Sequence, residues 1–186
     1  MRLILQTLRP VLLAGALCLS EAGTARAEPV FAPPVDHVEY GIVCDYVPRG
    51  RDVPAPGTNA GKVRRGGVPV RFDHQTDLVP ARHGLAFGIR IHTAPSSGTL
   101  EVTMVTRHPP FGPGYLDTES WTSSITGGVP SARYFFFEFD YELAPGPWTM
   151  EVYLDGDPLI SKTFTVFDPA LRPDMPDPCP GADVYS

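Results

Sequence analysis

The sequence predicts an all-β protein, an immunoglobulin-like β-sandwich of about seven or eight strands. Three observations predict it. Apolar residues recur at every second position in several stretches, which is the period of a half-buried strand. Turn signals drawn from 18 glycines and 22 prolines separate those stretches. Beyond the first residues no stretch has a convincing helical period, and no solenoid-like repeat runs through the chain.

The chain opens on a leader. Arg2 and Arg9 flank or punctuate the apolar run Val11–Leu19, and Ala25-Arg26-Ala27 has the small-x-small form read by signal peptidase. Residues 1–27 are therefore read as a secretory signal peptide cut after Ala27, which directs the protein to the periplasm or beyond. The alternative of an uncleaved anchor is weakened because a membrane span needs about 20 apolar residues. Cys18 invites a lipoprotein reading, but Leu17 stands where such signals carry a small residue. Residues 28–170 then form one sandwich domain, and residues 171–186 a Pro-rich tail.

Val35 to Val47 is the first expected strand, with Val38, Tyr40, Ile42, Cys44 and Tyr46 on one face. Pro48 to Gly61 reads as a loop, and Arg64-Arg65-Gly66-Gly67 as a basic turn. A Gly-rich turn bearing arginines could cradle an anion through its amides. No helix pattern follows it, so a solvated turn is the preferred reading. Val68 to Phe72 reads as a short edge strand, since Pro69 cannot donate to a central ladder. Asp73 to His83 is polar and carries no strand signal.

Leu85, Phe87, Ile89 and Ile91 alternate, then Pro95-Ser96-Ser97-Gly98 turns the chain, and Leu100, Val102 and Met104 alternate again. These two strands are expected to pair as an antiparallel hairpin, with Arg90, His92 and Arg107 opposite Glu101 on the outer face. Ser120 to Ile125 is a further strand containing Trp121. Tyr134 to Tyr141 is the densest aromatic run, with Phe135, Phe137, Phe139 and Tyr141 expected inward and Tyr134, Phe136, Glu138 and Asp140 outward. The strongest hairpin signal closes the domain. Trp148, Met150, Val152 and Leu154 alternate, Asp155-Gly156-Asp157-Pro158 supplies the turn, and Phe164 and Val166 continue on the return strand. Such a hairpin cannot bury its apolar face alone and needs a second sheet.

Charge narrows the function classes. The leader holds three of the 15 basic residues and one of the 21 acidic ones, so the remainder carries 12 against 20, a formal −8. Nucleic acid and anionic membrane surfaces favour the opposite sign. Cys44 and Cys179 remain after the leader, and an even pair in an oxidising compartment reads as a disulfide. The alternative is two free or intermolecular thiols. A bridge between residues so distant would contribute at most about 4–5 kcal/mol by chain entropy.

Residues with chemical potential form no local motif. His37, His74, His83, His92 and His108 lack metal-site spacing, though His92 and His108 could converge as ligands for copper or zinc. Surface histidines are the simpler reading. Glu138, Asp140 and Glu142 fall on alternate residues of an expected strand, about 6–7 Å apart, close to a glycosidase separation. An acidic face of any strand meets that criterion, and a cleft is also required. Ser96-Ser97 and Ser123-Ser124 lack a nucleophile setting. No catalytic residue and no cofactor is expected. What remains is a surface, with Tyr134 and Phe136 on an outward face, extended by Trp121 and by His108 and Phe111 of a rigid loop. Two such aromatics could anchor a protein or cell-envelope partner, or lie under a neighbouring segment.

Several short motifs occur in a set order: Tyr40-Gly41-Ile42-Val43-Cys44, Phe87-Gly88, His108-Pro109-Pro110, Trp121, Tyr141-Glu142-Leu143, Gly146-Pro147-Trp148 and Asp177-Pro178-Cys179. In that order they resemble the bacterial domain-of-unknown-function family numbered 3859. The resemblance spans most of the mature chain. It implies an exported bacterial domain and supports the pairing of the two cysteines. It implies no activity, and no catalytic or ligand residues carry over from it. The reading is therefore an exported, non-catalytic binding or accessory module. The alternatives are a metal- or small-ligand-binding protein and, behind both, a hydrolase.

Overall fold

The computed structural model describes residues 27–67, 71–175 and 177–179. The leader, Ala27 apart, and residues 68–70 of the expected edge strand lie outside the described residues.

The closing hairpin is the framework of the larger sheet. β10 (Gly146–Leu154) and β11 (Asp157–Phe167) pair antiparallel through Trp148↔Phe164, Met150↔Lys162 and Val152↔Ile160. Asp155 and Gly156 hold φ of 53° and 91°, the left-handed pair that a two-residue hairpin turn requires. β7 (Thr99–Arg107) pairs with β10, and β8 (Thr118–Thr126) pairs with β7 and forms an edge. Along the other side of β11 lie β1 (Val30–Phe31), antiparallel, and β5 (Leu78–Pro80), parallel. The second sheet has three strands in the order β2 (Val35–Val43), β6 (Ala86–Thr93), β9 (Ser131–Phe136). β3 (Arg51–Pro54) and β4 (Lys62–Arg65) form a separate hairpin. The architecture is an all-β sandwich with eleven strands among the described residues.

The apolar period names the core correctly. Leu85, Phe87, Ile89, Ile91, Trp148, Val152 and Phe164 are fully buried. Phe87, on the middle strand of the small sheet, meets Trp148 and Phe164 of the large sheet at ring distances of 5.6 and 5.1 Å. These contacts join the two layers. The Cys44–Cys179 disulfide is formed, with Cα atoms 5.5 Å apart, and ties the end of β2 to the tail. Arg82 holds the same tail through the Cys179 carbonyl at 3.0 and 3.1 Å and through Asp177 at 3.2 Å.

Several expectations are corrected. β6 and β7 do not form a hairpin: the segment containing a 3₁₀ turn (Pro95–Ser97) carries the chain from one sheet to the other. Their charges accordingly find other strands, Arg90 and His92 reaching Glu39 on β2 and Arg107 reaching Glu151 on β10. The expected loop Pro48 to Gly61 contains β3, which pairs with β4, a strand that takes in Arg64 and Arg65 of the expected turn. β1, before the first expected strand, and β5, in the polar Asp73 to His83 stretch, add to the existing strand β11 without any apolar period of their own. The aromatic strand ends at Phe136. Phe137 still enters the core, but Asp140–Glu142 form a 3₁₀ turn and Phe139 is exposed. Glu138, Asp140 and Glu142 therefore share no strand face.

Parity also places one cation inside. Lys162 lies between Ile160 and Phe164 on the inward face of β11 and is buried. Its ammonium sits 3.8 Å from the Tyr40 ring centroid, 3.3 Å from Asp77 Oδ2, and donates to the Ala27 carbonyl. No helix among the described residues is long and apolar enough to cross a membrane.

Candidate functional site

The sandwich has an open side, where β8 is the edge of the large sheet and β9 the edge of the small one. Arg133 bridges the two edges. It projects from β9 and donates to Ser123 Oγ and the Ser124 carbonyl of β8, both at 2.9 Å, and to Ser131 Oγ and the Ala132 carbonyl at 2.9 and 2.8 Å. Gly88 makes this placement possible: a Cβ there would stand 1.9 Å from the Arg133 carbonyl oxygen.

The β3–β4 hairpin roofs this side. Ser120 N–H of β8 donates to the Gly57 carbonyl in the hairpin tip at 2.9 Å. Asn59 donates its backbone and side-chain N–H groups to Glu119 at 3.0 and 3.1 Å and exchanges two bonds with the backbone of Leu116. Arg65 at the other end donates to the Thr122 carbonyl. Arg65 and Arg133 thus occupy outward carbonyls of an edge strand, which blunts it against pairing with another chain.

Between roof and edges lies a cavity of about 910 Å³. Its walls include Trp121, Tyr134 and Phe136, three of the residues expected in a binding surface. They are half-buried. Tyr46 leans over two of them, at ring distances of 5.8 Å from Tyr134 and 5.3 Å from Phe136, and Phe72 packs on Tyr134 at 5.7 Å. Burial raises the hydroxyl pKa values of Tyr46 and Tyr134, opposed at Tyr46 by Arg64 and at Tyr134 chiefly by Arg90. Tyr46, expected in the first strand, and Phe72, expected at the end of an edge strand, both lie in loops instead.

His108 and Phe111 do not join this face. The His108 side chain is fully buried, stacked on Phe111 with ring centroids 3.8 Å apart and 4.8 Å from Trp148. Its Nε2 stands 3.2 Å from Glu119 Oε1, an ion-pair distance without hydrogen-bond alignment. His92 bonds Glu39 at 2.7 Å instead, so the two candidate ligands occupy different surroundings. Among the described residues no group of three or more His, Cys, Asp or Glu side chains is placed to hold a metal.

Charge in the cavity is divided. At one end Glu142 accepts the N–H groups of Glu138 and Phe139 at 2.7 and 2.9 Å, closing the 3₁₀ turn. Its carboxyl is nonetheless held above the ordinary range, first by burial and then by the charges of Glu138 and Glu119. Tyr141 beside it is pushed up to about 12, first by burial and then by the charges of Glu142, Tyr115 and the same two acids. Both amides are accepted by Oε2 of Glu142, so this carboxylate caps the turn. At the other end Asp52 is clamped by Lys62 at 2.7 Å and Arg64 at 3.1 Å, which hold its carboxyl below the usual range. Burial, then the nearby charge of Arg65, lowers Arg133 to about 10. The sequence carries a signal for Arg133: it shares strand parity with Phe135 and Phe137, an ionised group in register with core aromatics.

The family profile described as "Domain of unknown function (DUF3859)" matches residues 32–166. The chain belongs to the DUF3859 family. The DUF3859 match takes in β2 through all but the last residue of β11, and with them the cavity between β8, β9 and the β3–β4 hairpin. Cys179 lies beyond the matched segment. Among solved structures the chain is similar to an immunoglobulin-like protein from Pseudomonas aeruginosa, at 19% identity and a TM-score of 0.48, with 77% of this chain and 99% of that chain covered. No curated protein matches it.

Proposed function

We propose that this DUF3859 chain is an exported, non-catalytic binding module, and that its ligand is a component of the cell envelope received in the cavity at the open side of the sandwich. The observation that carries this reading is the cavity of about 910 Å³, walled by Trp121, Tyr134 and Phe136 and roofed by a basic hairpin. Its size and mixed apolar and polar lining are those of a ligand site. The signal-like leader and the disulfide support export to an oxidising compartment such as the periplasm. The leader would be removed after Ala27, leaving no apolar run of membrane-spanning length.

The test is affinity capture from envelope extract by the mature, oxidised protein, followed by reconstitution with the purified partner. Phe136→Ser and Tyr46→Ser both alter the cavity wall, and Arg51→Gln alters an exposed residue elsewhere on the hairpin. The reading requires one saturable partner that Arg51→Gln retains and that at least one wall variant loses while keeping the parent melting temperature. A partner held equally by folded wall variants, or no saturable partner, refutes it.

A further inference from the structure

The cations of the cavity are not equivalent. Lys62 and Arg64 share Asp52. Arg65 and Arg133 have no carboxylate partner among the described residues, although each lines the cavity. Of the five acids lining the cavity, three are engaged elsewhere, and the exposed Asp45 and Glu138 form no ion pair with either arginine among the described residues. Glu119 takes Asn59 and faces His108, Glu142 takes two backbone amides, and Asp52 takes the other two cations.

Arg133 cannot turn to seek an acid. Four hydrogen bonds to neutral oxygens fix its guanidinium between the sheet edges, and its buried Nε–H has no partner. Arg65, exposed on the hairpin, spends one N–H group on the Thr122 carbonyl. Two guanidinium groups bonded to adjacent stretches of one strand, residues 122–124, therefore stand near each other, neither of them ion-paired. Two cations brought together in a partly desolvated cavity raise each other's free energy, and an anion between them relieves the repulsion. Capping the edge strand accounts for the hydrogen bonds but not for the choice of charge, since neutral donors would cap the same carbonyls.

We infer that the cavity binds a ligand presenting an oxyanion (carboxylate, phosphate or sulfate) next to an aromatic or apolar body, with the oxyanion seated by Arg65 against the fixed charge of Arg133 and the body lying on Trp121, Tyr134 and Phe136. Arginine suits this role because its planar fork matches an oxyanion in two places. The aromatic walls give the apolar part a surface to cover. This inference names the ligand chemistry for the site proposed above and rests on that reading.

The experiment is a titration of the mature, oxidised protein, followed by amide chemical shifts, with phenyl phosphate, phenol and inorganic phosphate as probes. Phenyl phosphate is expected to saturate at the cavity residues and to bind tighter than phenol by about tenfold or more, the value of one charge-assisted hydrogen bond. Arg65→Gln should remove most of that preference, while Arg51→Gln, at an exposed arginine outside the cavity, keeps it. Inorganic phosphate, bound more weakly at the same residues, would assign the remaining affinity to the aromatic wall. Equal binding of phenol and phenyl phosphate at the cavity overturns the anion inference and leaves the binding site standing. Equal losses in the two arginine variants overturn it as well, as a general charge effect. No shifts at the cavity with any probe overturn the inference and its parent reading together.

Discussion

Replacing both Cys44 and Cys179 by serine removes a cross-link that encloses nearly the whole sandwich. The two positions are 135 residues apart, one just past β2 and the other in the tail beyond β11. A loop of that length restricts the unfolded chain by about 4–5 kcal/mol at 25 °C in the chain-entropy account. For a domain of this size that corresponds to a fall in Tm of roughly 10–20 °C. The folded state loses less, because Arg82 still holds the tail through the Cys179 carbonyl. The assay is urea unfolding of the parent and of C44S/C179S, followed by Trp fluorescence. We expect a loss of about 3–5 kcal/mol together with a larger urea dependence, since the uncrosslinked chain unfolds to a more open state. Arg82→Ala, which breaks only the local attachment, should cost about 1 kcal/mol. A double-serine variant within about 1 kcal/mol of the parent and with an unchanged urea dependence would refute the entropy argument. The bridge would then act only on the tail.

Gly88→Ala drives a methyl to 1.9 Å from the Arg133 carbonyl oxygen, so β9 must move from β6, at a cost of about 2–3 kcal/mol measured by denaturant unfolding. Lys162→Met leaves Asp77 buried without its ammonium partner and should cost about 3 kcal/mol, most of it recovered in the double variant K162M/D77L. Trp148→Phe strands the Ala144 carbonyl now bonded at 2.9 Å and should cost about 2 kcal/mol in the same measurement. Glu142 carries a carboxyl pKa raised by burial above its ordinary 4.5, so the folded state holds that proton more tightly than the unfolded chain. Its contribution to stability is fully present below that ordinary value and is lost as pH rises through the raised one. Glu142→Gln keeps an oxygen to accept the two amides but does not ionise, so its stability relative to the parent should improve steadily from acid to neutral pH.

The sequence by itself determined the long strands and most of their inward faces. Alternation is a local property, dictated by the pleat, so Leu85, Phe87, Ile89 and Ile91 announce a buried face whatever lies opposite. The same reasoning holds for Trp148, Met150 and Val152, where the Asp155-Gly156 turn also fixes the partner strand and its register. Arg133 and Lys162 fall at core-parity positions of their strands, a signal that apolar alternation alone does not read. The choice of neighbours belonged to the tertiary structure. Backbone ladders are chemically alike for every pair of strands, so nothing in residues 94–98 distinguishes a hairpin turn from a crossing between sheets. Only the burial of both apolar faces at once sends β6 to one layer and β7 to the other. The cavity arose the same way. Its arginines, its aromatic wall and its roof come from segments far apart in sequence. Each is unremarkable until the open edges of β8 and β9 bring Arg65, Arg133, Trp121 and Tyr134 around one space.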